Sequence, residues 1–132
     1  MKTETFLKDF SPTFPAFPGY ICPGDYRRIE CGPYTVTARI VDDTDTRPDW
    51  FDCYTPEQIR AWSRGDWCFV GLVLSVHVGE YLLDDNAAAL WGIDCNFPGG
   101  DNDHFRQFAD DLLPEALTQA KKRRAEILAA LA

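Results

Sequence analysis

Trp67-Cys68-Phe69-Val70-Gly71-Leu72-Val73-Leu74-Ser75-Val76-His77-Val78 decides the fold. Both alternating sets of this run are apolar for most of its length. That pattern marks a central β-strand covered on two faces rather than an edge strand with one wet side. Gly71 withdraws a side chain at a point where a ring or a backbone can approach. At twelve residues, with Ser75 and His77 inside it, the run is too short to span a bilayer.

Downstream, Gly79-Glu80 reads as a turn, and Tyr81-Leu82-Leu83 as the start of a return strand interrupted at Asp84-Asp85-Asn86. Ala88 to Asp94 then reads as a further strand pairing with 67–78. Asn96 to Asp103 is loop chemistry. Asp103 is placed to cap a helix carrying Phe105, Phe108, Ala109 and Leu112, which Pro114 should kink or restart. From Glu115 to Leu131, the residues Leu117, Ala120, Arg124, Ile127, Leu128 and Leu131 trace one helical stripe.

Upstream, Tyr34 to Val41 alternates as a half-buried strand. Thr55-Pro56-Glu57-Gln58 is a helix start, with threonine as cap, proline in the first turn and Gln58 at the reciprocal capping position. This helix should turn Ile59 and Trp62 inward and stop near Gly65. Residues 1–33 interleave Pro12, Pro15, Pro18, Pro23 and Pro33 with Phe6, Phe10, Phe14, Phe17 and Tyr20. Such a segment reads as an irregular arm, because proline breaks both helix and ladder. Exposing five rings is unfavourable, so the arm either wraps its own domain or docks a partner or second subunit.

The expectation is therefore one α+β domain over 1–132, with an arm at 1–33 and a core at 34–132. A short antiparallel sheet of about three strands (34–41, 67–78, 88–94) packs against C-terminal helices. The 132 residues suit a single domain that folds without a metal or disulfide staple.

With 21 acidic against 13 basic residues the chain carries a net charge of −8, which disfavours non-specific binding to a phosphate backbone. The basic run Lys121-Lys122-Arg123-Arg124 winds round a helix instead of forming one face. Acidic residues cluster at Asp42, Asp43, Asp45, Asp49 and Asp52, opposed only by Arg47, and again at Asp94, Asp101, Asp103, Asp110 and Asp111. Five cysteines without a Cys-x-x-Cys pair, and two isolated histidines, give no zinc spacing and no disulfide framework. No phosphate-cradling motif is present, so no cofactor or metal is expected. The first residues carry no signal-peptide apolar core, and the expectation is a cytoplasmic protein with reduced thiols.

Two chemistries compete. Cys95, His104 and Asp103 form a loose nucleophile–base–orienter set, which would make a small cysteine- and histidine-dependent enzyme. Alternatively the acidic loop, Asp42, Asp43, Asp45, Asp49 and Asp52 aided by Asp84 and Asp85, is a partner-binding surface. Its carboxylates would imitate a nucleic-acid backbone or pair with arginines lining a basic groove. The second reading is favoured, and the chain is then no enzyme. A third expectation is a structural or assembly protein, a homodimer exchanging its arm.

The strand Trp67-x-Phe69-Val70-Gly71-Leu72-Val73-Leu74-x-Val76, followed by Ala88-Ala89-Leu90-Trp91-Gly92-Ile93-Asp94 and an acidic helical segment, resembles small proteins encoded by bacteriophages and plasmids. The likeness covers roughly 67–113 and carries no catalytic signature. It implies a stoichiometric antagonist of the bacterial host's machinery, of the anti-CRISPR kind. Its partner would be a host protein or nucleoprotein, such as a CRISPR surveillance complex, with neither nucleic acid nor membrane contacted directly.

Overall fold

A computed structural model describes residues 13–132, so Phe6, Phe10 and Pro12 of the expected arm lie outside the described residues. Four strands, β1 (Tyr26–Cys31), β2 (Tyr34–Asp42), β3 (Cys68–Val78) and β4 (Tyr81–Cys95), form one sheet in the order β1-β2-β3-β4 with every neighbouring pair antiparallel. Two helices, α1 (Pro56–Ser63) and α2 (His104–Leu131), complete an α+β fold.

Tight turns set the order. Cys31 pairs with Tyr34 across Gly32-Pro33, and Val78 with Tyr81 across Gly79-Glu80. Gly32 and Gly79 take φ of 60° and 58°, the left-handed conformation that such two-residue turns need. Val36, Ala38 and Ile40 of β2 share a face with Val76, Leu74 and Leu72 of β3. That face is buried under Phe105, Ala109, Leu113, Ala116 and Ala120 of α2. The other face is closed at one end by Trp67, Phe69 and Ala61, packed with Tyr54, Trp62 and Phe97. Trp67 keeps its indole N–H satisfied by donating to the Gln58 carbonyl at 2.9 Å. Thr55 and Gln58 make the reciprocal capping box that begins α1.

Five expectations need correction. The sheet has four strands, not three, because β1 lies inside the segment expected to be irregular and pairs along its whole length with β2. Asp84-Asp85-Asn86 does not interrupt the return strand. The chain bulges there between Ala88, opposite Leu74, and Asp84, opposite Val76, and the Ser75 hydroxyl donates to the Asp85 carbonyl at 2.9 Å. Pro114 neither ends nor restarts the helix. It sits on the exposed side of α2, while Leu113 and Ala116 hold the inner side to the sheet. Asp103 precedes α2 but makes no side-chain cap; its N–H instead donates to Asp101 at 3.0 Å. Finally, Arg124, Leu128 and Leu131 are exposed, so beyond Ala120 the expected stripe keeps partial cover only at Ile127.

The described part of the arm wraps the chain's own core. Phe14 and Ile21 are buried, and Phe17 packs 6.0 Å from Phe105. Polar anchors fix its path. The Phe14 N–H donates to Asp110 at 2.8 Å, and Asn96 both accepts from the Ile21 N–H at 2.9 Å and donates to the Ile21 carbonyl at 2.8 Å. Among the described residues no helix is long and apolar enough to cross a membrane.

Candidate functional site

Asp42 ends β2, and the chain then folds over the sheet instead of running on. Asp43 is the reason. One of its carboxylate oxygens accepts from the N–H groups of Asp45 and Thr46, both at 3.1 Å. The other accepts from the Thr46 hydroxyl at 2.7 Å and from the Gly92 N–H at 2.9 Å. The first three bonds close the turn locally. The fourth ties the loop to β4, 49 positions away in sequence.

Gly92 is available because β4 bulges a second time. Val70 pairs with Ile93 and Leu72 with Leu90, which leaves Gly71 facing both Trp91 and Gly92. Gly92 takes φ 73°, and the Trp91 ring lies over Gly71. A Cβ placed on Gly71 would stand 2.3 Å from Trp91 Cε3, so glycine is what admits the ring. Trp91 is nevertheless 52% exposed. Asp42, Asp43, Thr44, Asp45 and Thr46 line a concavity of about 480 Å³ with Trp91 as its apolar wall.

On the far side of the same indole, Leu90, Asp94, His104 and Phe108 border a second hollow. The His104 ring N–H donates to the Asp94 carbonyl at 2.8 Å and stands 3.5 Å from the Asp94 carboxylate. Tyr54 OH donates to that carboxylate at 3.4 Å. Burial, followed by the Asp94 charge, pushes the Tyr54 phenol up to about 12. The surface is therefore a half-exposed tryptophan with carboxylates on both sides.

The expected acidic residues do not all share this place. Asp42, Asp43 and Asp45 do. Asp49 lies in the one-turn helix Pro48–Trp50 and is paired with Arg47 at 3.1 Å, while Arg47 also stacks 5.0 Å over Trp62. Asp52 is exposed beyond that turn. Asp84 and Asp85 are separated from the loop: Asp42 pairs with Val70 and Asp84 with Val76, six positions along β3, or about 20 Å at strand rise. Asp85 is paired with Arg39 at 3.2 Å, and Asp84 and Asp85 border the Lys122 and Arg123 side of α2.

Cys95, His104 and Asp103 are not assembled either. Successive strand residues face opposite ways, so Asp94 meets His104 while the Cys95 thiol turns into the core toward the Ile21 carbonyl at 3.8 Å. Asp103 is exposed and turned to Asp101. Among the described residues no three His, Cys, Asp or Glu side chains converge as a metal ion would require. Trp91 and Gly92 were legible in the sequence only as strand residues. Their sequence signal was Gly71, which asked for a ring without naming it.

Asp43 gives the loop a pH signature. Burial pushes its carboxyl up, but the bonds from Thr46, Asp45 and Gly92 outweigh it and hold the group below its ordinary value. A carboxyl depressed on folding adds stability above its unfolded value, about 4, and loses it as pH falls through the folded value. Asp43→Asn should therefore lower the urea midpoint at pH 7, with the gap to wild type narrowing as pH falls from about 5 to 3. A gap that is constant with pH would contradict the role given to this carboxylate.

Compared with protein-family models, curated proteins and solved structures, the chain matches none of them.

Proposed function

We propose that the chain is a non-enzymatic binding protein whose acidic loop, residues 42–52, and the neighbouring Trp91 dock on a basic groove of a partner. The observation that carries this reading is the Asp43 carboxylate. Its four accepted hydrogen bonds hold Asp42 and Asp45 in fixed positions beside an exposed indole. Charge on a preorganised loop loses little conformational freedom on binding, and an aromatic anchor ringed by polar groups is the usual centre of a tight interface. We propose further that it is an inhibitor of mobile-element origin. It would act in the bacterial cytoplasm on a host protein or nucleoprotein such as a CRISPR surveillance complex.

Affinity capture from a bacterial lysate on the immobilised chain tests this. Raising salt from 0.1 to 1 M shortens the screening length from about 10 to 3 Å. A basic protein or nucleoprotein should be retained at the lower salt and released at the higher. Retention of acidic or neutral proteins alone, indifferent to salt, would contradict the reading.

A further inference from the structure

Cys68 opens β3 and Cys95 closes β4, and the antiparallel ladder sets them directly opposite each other. Opposed residues of such a pair have Cα atoms about 4.5–5.5 Å apart, within the about 4.4–6.8 Å that a disulfide spans. Directly opposed side chains also share a face of the sheet. Here both are free thiols, and the Cys95 S–H donates to the Ile21 carbonyl at 3.8 Å. Their exposure differs. Cys95 is fully enclosed, whereas Cys68 is half-buried at the strand start. One sulfur is thus open to a reagent, and the second is placed against the first.

We propose that Cys68 and Cys95 are an oxidative modification site, a cross-strand dithiol that a small disulfide such as oxidised glutathione converts to a protein disulfide. The Cys68 thiolate attacks one glutathione sulfur, forming a mixed disulfide and expelling one glutathione thiolate. Cys95 then attacks Cys68 Sγ, its proton passing to the departing glutathione sulfur. The Cys68–Cys95 bond forms, the mixed disulfide breaks, and a second glutathione leaves. Two electrons pass from the protein thiols to glutathione disulfide, and the two protons end on the released glutathione.

The surroundings favour this order. The neighbouring Cys95 thiol outweighs burial and the Asp42 charge and holds the Cys68 thiol below its ordinary range. The same contact with Cys68 is the first cause, and burial the second, that pushes Cys95 up. Once Cys68 carries glutathione it is no longer a thiolate beside Cys95, so the first step removes the main obstacle to the second. Asn96 continues to hold the Ile21 backbone when the Cys95 S–H is consumed.

The test treats the folded, full-length chain with oxidised glutathione, alkylates the remaining thiols and maps unreduced peptides by mass spectrometry. The expected product joins the Cys68 and Cys95 peptides and leaves Cys22, Cys31 and Cys53 outside the link. Cys95→Ser should stop at glutathionylated Cys68. Because that change places a hydroxyl in the core, Cys68→Ser at the half-buried position serves as the second variant. It should keep its fold, form no link and leave Cys95 unmodified. Oxidised wild type should also unfold at a higher temperature than reduced wild type. A link from Cys95 to Cys22, which also lies near it, would overturn the proposal. So would glutathionylated Cys68 persisting in wild type, or an equal yield of the link in urea-unfolded chain.

Discussion

Phe105→Ala is expected to lower the unfolding free energy by about 3–5 kcal/mol. Phe105 opens the inner face of α2 and is fully buried. It sits where three parts of the fold meet: the helix, the sheet below it, and the arm, through Phe17 at 6.0 Å. Removing the ring forfeits its transfer free energy and leaves a cavity whose walls are set by separate elements, so the site cannot collapse around it. Set against a total stability of about 5–15 kcal/mol, the loss is a large fraction. Urea unfolding followed by circular dichroism measures it. Leu131→Ala, on the same helix but 78% exposed, should change stability by less than about 0.5 kcal/mol. Similar losses for the two variants would show that the helix is not held as described.

Replacing Asp42, Asp45 and Asp49 together by asparagine is expected to slow association with the captured basic partner by ~100-fold or more at low salt. Asp43 is left in place because its carboxylate builds the loop, and its loss would confuse a structural effect with an electrostatic one. Asp49→Asn additionally frees Arg47, adding repulsion to lost attraction. Wild type and variant should converge as salt is raised, because screening removes what the substitutions removed. Trp91→Ala should act differently, raising the dissociation rate by a factor equivalent to about 2 kcal/mol or more, with little dependence on salt. Surface-immobilised kinetics at two ionic strengths separates the two effects. An unchanged association rate in the triple variant would dismiss the loop as the charged contact.

The contrast between β3 and β1 explains how much of the fold was legible. Trp67 to Val78 declares itself because both faces are covered, so nearly every position is apolar. Tyr26–Cys31 is an edge strand in which only Ile29 is buried. A strand that buries one side chain leaves no period of two to read. Thr55 and Gln58 were legible because a capping box is a contact between near neighbours. Pro114 misled because its local cost is set against long-range packing by Leu113 and Ala116, which a window of sequence does not contain. The Asp84 to Asn86 bulge was hidden for the same reason, since the hydroxyl that satisfies it belongs to Ser75 on the adjacent strand.

The candidate site divides in the same way. That residues 42–52 form an acidic loop is a matter of composition. Which carboxylate shapes the loop and which face solvent depends on Gly92, whose N–H reaches Asp43 through a bulge in another strand. Trp91 stands beside those carboxylates because Gly71, twenty positions earlier, leaves room for its ring. Asp85 is paired with Arg39, a neighbour supplied by β2 that a window around Asp85 does not contain.

Hydrogen exchange on the chain, free and bound to the captured partner, locates the working surface without any substitution. Slowed exchange should be confined to residues 42–52 and to the stretch of β4 around Trp91. Slowed exchange at Tyr26 and Arg28 on the opposite edge of the sheet, or along Lys121 to Leu131, with the 42–52 loop unchanged, would contradict the acidic loop and its tryptophan as the site of binding.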